Sequence, residues 1–425
     1  MTVRQRHSEA TSFMTVSTNN SHKQKREDEG TLPGVGSLVP SFRDIYGGEA
    51  LIERLTALIE AGKVPHALLL SGKAGSEALP LALATAKRIL CQSPGPDGDS
   101  CGHCLSCRQA ATLDNPNLAL IFPIAKEGDG KEVISAMQMP LFRDMMRKYP
   151  RFTSHEWKEL QNSGNKQLSI MVAEAENLIA RTSLKSFDSS NQVIVVWLPE
   201  TMRSDAANKL LKLFEEPPEG IQFILVSNSP ESLLPTILSR FQKVRVPPIP
   251  EQTLLEALTR DFGISPKEAS EAAHLSRGNL YVALRMCGAL GEKAQEDRVF
   301  EEAVSVFECA ASRNPKAFLT KAEALSKESR PFVLEVTERI LEVMREAGAI
   351  SRERSEESPA GSSFVYTPDA YKGRIARIGA VLPFSAFPSL MQEIGTALNE
   401  LRQNANIKIL YFDLIIRISR SLRLR

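Results

Sequence analysis

Between Phe42 and Pro250 the chain alternates short, unbroken apolar runs with stretches whose apolar residues recur every three or four positions. The runs His66–Leu70, Leu118–Ile124, Val193–Trp197 and Phe223–Ser227 have strand length and fall short of a buried helix. Between them, Glu49–Ala61, Leu79–Leu90, Ile170–Ala180 and Ala206–Glu215 carry helical periodicity. Unbroken apolar strands imply a sheet covered on both faces, and strands interleaved with helices imply a parallel one. The polar, Met-rich stretch from Lys126 to Gln167 interrupts this alternation and reads as an insertion between a strand and a helix. Pro247, Pro248 and Pro250 break the pattern, and the chain beyond them reads as helix. Glu251–Phe262, Pro266–His274 and Asn279–Cys287 make a small lid, and several longer helices from Lys293 make an all-helical domain. Residues 1–38 carry too little apolar surface to offset their ordering entropy and read as a disordered tail. Ser351–Thr367 reads as a loop. The expected organisation is a tail over 1–38, an α/β domain over 39–247, a helical lid over 248–290 and an all-α domain over 291–425.

Composition narrows the class. A chain of 425 residues exceeds what one core usually organises. With 42% hydrophobic and 24% charged residues it reads as an ordinary globular protein. No apolar run reaches membrane-spanning length and the N-terminus lacks a secretory apolar region, so a cytoplasmic location without a membrane partner is expected. Basic and acidic residues nearly balance, 52 against 51. A protein built to grip DNA would more often carry a basic excess, so protein partners are favoured.

Two local patterns carry chemistry. Cys91, Cys101, Cys104 and Cys107 form C-x9-C-x2-C-x2-C in a polar loop. Four thiolates satisfy tetrahedral zinc, and in a reducing compartment metal is favoured over disulfides. A structural zinc knuckle over 91–107 is expected, with His103 a bystander, and Cys287 and Cys309 as core residues. The second pattern, Leu70-Ser71-Gly72-Lys73-Ala74-Gly75-Ser76-Glu77-Ala78-Leu79, lies where a strand–loop–helix phosphate cradle would lie. Such a cradle reads G-x-x-x-x-G-K-[ST]. Aligned from Gly72, Glu77 takes the second glycine's place, Ala78 the lysine's and Leu79 the hydroxyl's. Lys73 is the sole lysine of the loop and is misplaced by five positions.

Gln192–Pro218 (QVIVVWLPETMRSDAANKLLKLFEEPP) and Ile224–Arg240 (ILVSNSPESLLPTILSR) closely resemble the delta prime family of bacterial clamp loaders, over about Phe42 to Pro250. That resemblance implies a RecA-like AAA+ α/β domain, a helical lid and a C-terminal all-α collar through which subunits oligomerise. Its partners would be the gamma or tau and delta subunits, with the sliding clamp and primed DNA reached through the complex. The metal-binding acids of the Walker B strand fall here on Trp197 and Leu198, while Glu200 survives outside that pair. The lid position of a sensor arginine, after Gly278-Asn279-Leu280, is Tyr281. With these losses neither ATP in the chain's own site, nor ATPase, nor polymerase activity of this chain is expected. The Ser239-Arg240-Phe241 element departs from the family pattern in Phe241. By the resemblance Arg240, beside Ser239, is an arginine finger for a neighbour's ATP site; the simpler alternative is an arginine paired with a local carboxylate. Two rival readings stay open: a divergent ATP-binding AAA+ ATPase, supported by measurable ATP binding, and an unrelated zinc-containing adaptor. Asn404–Asp413 resembles the last collar helix, and Arg417–Arg425 reads as a solvated basic ending.

Overall fold

Alternate residues of a strand face opposite sides of its sheet, so four apolar strands here seat two different layers of helix. In chain order the strands are β1 (Ala67–Ser71), β2 (Leu118–Ile121), β3 (Ile124–Ala125), β4 (Leu168–Ser169), β5 (Gln192–Trp197), β6 (Ile221–Ser227) and β7 (Gln242–Arg245). The computed structural model describes residues 37–125, 133–161, 167–183, 191–290, 293–353, 369–403 and 405–422. One parallel sheet runs in the order β2-β5-β6-β1-β7, and β3 and β4 form a separate antiparallel pair. The helices of this region are α1 (Glu49–Glu60), α2 (Ala78–Ile89), α3 (Leu105–Ala111), α4 (Met139–Lys148), α5 (Ser154–Leu160), α6 (Val172–Ser183), α7 (Ser204–Glu215) and α8 (Pro235–Leu238). Leu68, Leu70, Val193, Val195 and Trp197 share one core with α2. Leu69, Ile194, Val196, Phe223 and Leu225 share the opposite one with α6 and α7. β7 is polar and mostly exposed, as an edge strand can be, and carries no apolar run to betray it.

α2 is buried from Ala78 to Arg88, including two cations. Lys87 Nζ donates to the Val39 carbonyl at 3.2 Å and to Ser41 Oγ at 3.0 Å, and Arg88 Nε donates to the Gly98 carbonyl at 2.5 Å. Those bonds offset the cost of taking the charges out of water. Packing begins at Leu38 and Val39, both in the core; residues 1–36 of the expected tail lie outside the described residues. The middle of the polar stretch 126–167 is core-forming. Phe142 of α4 stacks on Phe122 at 4.3 Å between ring centroids, and Trp157 of α5 meets Phe122 edge-on at 5.2 Å. The Trp157 indole donates to the Pro123 carbonyl at 2.7 Å.

The lid consists of α9 (Glu251–Arg260), α10 (Pro266–Leu275) and α11 (Leu280–Met286), around a small core of its own. Gly278 adopts φ +76°, and a Cβ there would lie 2.4 Å from the Ile249 carbonyl oxygen, so the turn that seats α11 on the hinge requires glycine. Beyond it, α12 (Lys293–Ala311), α13 (Pro315–Ser326), α14 (Arg330–Glu353), α15 (Asp369–Val381), α16 (Phe387–Arg402) and α17 (Ile407–Ser421) share a further core. Within it Tyr411 and Thr337 exchange a buried hydroxyl hydrogen bond at 2.6 Å. Arg330 donates to the Leu401 and Ala405 carbonyls at 2.8 and 2.9 Å, closing the end of α16. Ser351–Glu353 continue α14 rather than opening a loop, because the helical pattern runs on; 354–368 lie outside the described residues, as does Asn404. Cys287 and Cys309 are half-buried at the margins of their cores. Among the described residues no helix is long and apolar enough to cross a membrane.

Candidate functional site

After β1 the chain crosses the sheet to β2, and after β6 it crosses the other way to β7. Adjacent parallel strands with divergent exits leave a crevice at their carboxyl ends, where α/β proteins bind ligands. The loop 72–77 fills that place and leads into α2. Ala78 and Leu79 are buried apolar residues of α2, not groups facing a crevice. Gly75 adopts φ +74°, and a Cβ on it would lie 2.6 Å from Tyr281 of the lid, so lid and loop touch directly. Gly72 is hemmed in by Ser76, whose Oγ would lie 2.4 Å from such a Cβ. Asn279 Nδ2 donates to the Ala74 carbonyl at 2.9 Å, adding a second lid–loop tie.

Glu77 caps α2 without a side-chain bond to the helix. Its carboxylate turns instead to Arg151, which donates from Nε at 2.5 Å and from one terminal nitrogen at 2.9 Å. The pair is nearly sealed from solvent, with side chains 2% and 7% exposed. Arg151 also donates to the Asp44 carbonyl at 3.1 Å and lies over the Tyr46 ring at 5.1 Å. Burial alone would lower its pKa; the Glu77 charge and its hydrogen bonds together outweigh burial and raise it. Burial, with a hydrogen bond to Asp261 of the lid at 3.0 Å, pushes the Tyr46 hydroxyl up to about 12. Tyr149 is also buried, its hydroxyl raised by burial, and its ring stacks on Tyr281 at 6.3 Å. No motif marks Tyr149 or Arg151: they are ordinary residues of an insertion, and only the fold brings them to the crevice.

On β5, separated from β1 by β6, Trp197 is buried and packs edge-on to Phe152 at 5.0 Å and Phe142 at 6.0 Å. Leu198 is buried at φ +56°, a left-handed conformation that costs a leucine about 1–3 kcal/mol. Neither side chain can ligate a metal. Glu200 stands apart from them, with Oε1 accepting the Asn228 backbone N–H at 2.9 Å and burial raising its pKa.

Ser239 and Arg240 follow α8, just before β7. The Arg240 guanidinium pairs with Glu215 at the end of α7, and donates to the Thr236 carbonyl and, at 3.4 Å, to Ser239 Oγ. Phe241, next in the chain, is buried and meets Phe214 of α7 edge-on at 5.1 Å. The arginine is thus held against the end of α7 with its side chain a quarter exposed.

The four cysteines converge. Their sulfurs lie within 4.8 Å of one another, with Cys101 and Cys107 Sγ 3.9 Å apart. Thiolates around tetrahedral zinc stand about 3.8 Å apart, so a slight contraction would seat the ion. Backbone N–H groups of Cys101, Cys104 and Cys107 point at the sulfurs of Cys91, Cys101 and Cys104, at 3.3 to 3.4 Å. Burial opposes ionisation of Cys101, yet bonds from Ser93 and from the Cys104 and His103 backbone bring its thiol down to about 5. Burial raises Cys107. The His103 ring faces the Cys101 carbonyl at 3.0 Å and is not among the clustered ligands. Four cysteines this close could hold a metal ion.

The parallel order β2-β5-β6-β1-β7, with a helical lid over its carboxyl edge, defines an α/β domain with its ligand crevice under a lid. Residues 47–250 match the family described as DNA polymerase III, delta subunit. Over that region the chain is similar to delta prime clamp-loader subunits. It is 26% identical to the DNA polymerase III subunit delta' of Bacillus subtilis (strain 168) over 53% of this chain, and 29% identical to that of Escherichia coli (strain K12) over 55%. Each match spans 58% of the relative's own length. A DNA polymerase III subunit gamma/tau of Mycobacterium bovis is 27% identical over 52% of this chain and 31% of its own. Among solved structures, a DNA polymerase III gamma subunit-related protein of Thermotoga maritima aligns over 87% of this chain and 99% of its own, at 14% identity and a TM-score of 0.33.

Proposed function

We propose that this chain is a non-hydrolysing subunit of a bacterial DNA polymerase III clamp loader, acting in the cytoplasm with gamma or tau and delta subunits to place a sliding clamp on primed DNA. The observation that carries the reading is a pairing of opposites. Where a phosphate cradle needs glycine, lysine and hydroxyl, this chain has Glu77, Ala78 and Leu79, the first neutralised by Arg151 and the other two buried. Where the metal-binding acids belong it has Trp197 and Leu198. Arg240, in contrast, sits at the domain surface on a short loop after α8. A guanidinium delivered into a neighbour's ATP site would stabilise the charge spread over the transferring phosphoryl group.

In the free chain that guanidinium is occupied by Glu215. A surface pair of this kind contributes about 0–1 kcal/mol, so exchanging Glu215 for a phosphoryl oxygen is a small obstacle. The Cys91, Cys101, Cys104 and Cys107 cluster would hold Zn²⁺ with every coordination position filled by protein, which leaves the ion a structural part. The helical domain over 291–425 would be the collar that joins neighbouring subunits.

The test is ATP turnover by a reconstituted clamp loader carrying this chain or its Arg240→Ala variant. The variant should assemble normally and lower turnover at the neighbouring site by about 10³-fold or more. Undiminished turnover would remove the finger from the reading, and ATP hydrolysis by the chain alone would overturn the non-hydrolysing role.

A further inference from the structure

Two buried cations lie side by side in the sequence of α2, and each holds a different piece of chain. Lys87 reaches the N-terminal segment, at the Val39 carbonyl and Ser41 Oγ, while Arg88 reaches the cysteine loop, at the Gly98 carbonyl. Asp99, next in that loop and itself buried, joins the two pieces. Its Oδ1 accepts the Phe42 N–H and its Oδ2 the Arg43 N–H, both at 3.2 Å, and Oδ2 also accepts from Arg43 Nε. Phe42 and Arg43 open a single 3₁₀ turn, Phe42–Asp44, so their N–H groups have no partner within it and depend on this carboxylate. Ser100 adds a hydroxyl contact with Ser41 at 3.2 Å.

The position of Asp99 depends in turn on the cysteines. Residues 92–100 carry no apolar side chain larger than proline, so apolar burial does little to fix this loop. Its two flanks, Cys91 and Cys101, belong to the four clustered thiols, and the Cys101 N–H donates to Cys91 Sγ at 3.3 Å. An ion on the four sulfurs would close the loop. Without it, thiolates this close repel one another, and neutral thiols are weak hydrogen-bonding groups.

We infer that the cysteine cluster is a metal-operated clasp: a bound ion holds Asp99 where it secures residues 38–44 over Lys87 on α2, and loss of the ion loosens that segment. Leu38, Val39 and Phe42 bury apolar surface in the same core as α2, so burial and clasp hold the segment together. The clasp sets how often it lifts. The inference rests on the reading of the four cysteines as a metal site, and it places the effect of the ion on a segment that supplies none of its ligands.

Hydrogen exchange of the full chain, loaded with Zn²⁺ or stripped by a chelator, tests it at the Phe42 and Arg43 amides, with the amides of β6 as the measure of a folded sheet. Stripping should speed exchange at 42 and 43 by about tenfold or more, within the usual range of coupling between sites, while β6 stays protected. Asp99→Ala keeps all four cysteines and should still bind Zn²⁺, yet exchange fast at these amides whether loaded or stripped. Phe42→Ala loosens the segment without altering the loop. Because coupling is reciprocal, its Zn²⁺ affinity, measured by chelator competition, should fall by about fivefold or more. If stripping exposes β6 as well, the two variants are read in the loaded chain instead. Fast exchange in Asp99→Ala and weakened affinity in Phe42→Ala then support the clasp, and slow exchange or unchanged affinity overturns it. Loaded and stripped chains that exchange alike at 42 and 43 overturn the clasp and leave the metal site standing. A chain that takes up no Zn²⁺ overturns the metal reading itself, and the clasp falls with it.

Discussion

Glu346 shows how burial and pairing compete at a single residue. It lies on α14 with its side chain 5% exposed, and one oxygen accepts from Arg277 of the lid at 2.8 Å. Burial disfavours its charge more than Arg277 favours it, and its pKa rises to about 7. A carboxylate with a folded pKa above its unfolded value binds more protons in the folded state, so the stability it contributes is present at low pH and is lost as pH rises through the folded value. From about pH 4.5 to about pH 7 the chain should lose about 3 kcal/mol through this group. Glu346→Gln should flatten that decline, as urea unfolding at a series of pH values would show; an equally steep decline in the variant would assign it to other groups. The same competition has the opposite result at Arg151, where Glu77 is close enough to outweigh burial.

Among the elements, the cysteine loop and α3 depend on each other. Cys104 is the N-cap of α3, its sulfur accepting the Cys107 N–H, so a residue that could ligate a metal is also what starts the helix. The loop in turn anchors the N-terminal segment: Asp99 accepts from the Phe42 and Arg43 backbone at 3.2 Å each and from Arg43 Nε at 3.1 Å. Cys104→Ser should therefore abolish bound metal and lower the melting temperature of the α/β domain together, since the free energy of a structural metal site is folding free energy. Metal content and thermal unfolding measured on one preparation check this; unchanged values of both would leave the cluster as four packed thiols.

For the molecule as a whole, the separate cores matter more than any single contact. The sheet is sandwiched between two cores, the lid has a third, and the helices beyond it a fourth. Arg277–Glu346 and Arg285–Glu335, the latter at 3.6 Å, join lid to bundle by ion pairs. Both tryptophans, Trp157 and Trp197, lie in the α/β domain, so selectively excited tryptophan fluorescence reports that domain alone. Phe307→Ala, deep in the helical core, should cost about 3–5 kcal/mol. Circular dichroism should register that loss while the fluorescence midpoint stays in place; coincident shifts would mean that the domains unfold as one unit.

The parallel α/β pattern, the lid helices and the cysteine cluster were legible in the sequence because each rests on local periodicity or close spacing. The apolar runs that became β1, β2, β5 and β6 are buried on both faces and so could hardly be anything but central strands. That Glu77, Ala78 and Leu79, and Trp197 and Leu198, are not phosphate- or metal-binding residue types could likewise be read by position within a pattern. β7 was hidden by its polar edge, and Leu38 by the tail it adjoins. What the tertiary structure alone decided is how the crevice is filled. Glu77 and Arg151 are 74 residues apart in the chain, and Tyr149 meets Tyr281 across the boundary between insertion and lid. Pairings over such separations leave no periodic trace, because they are selected by burial and charge balance after the sheet has brought the segments together.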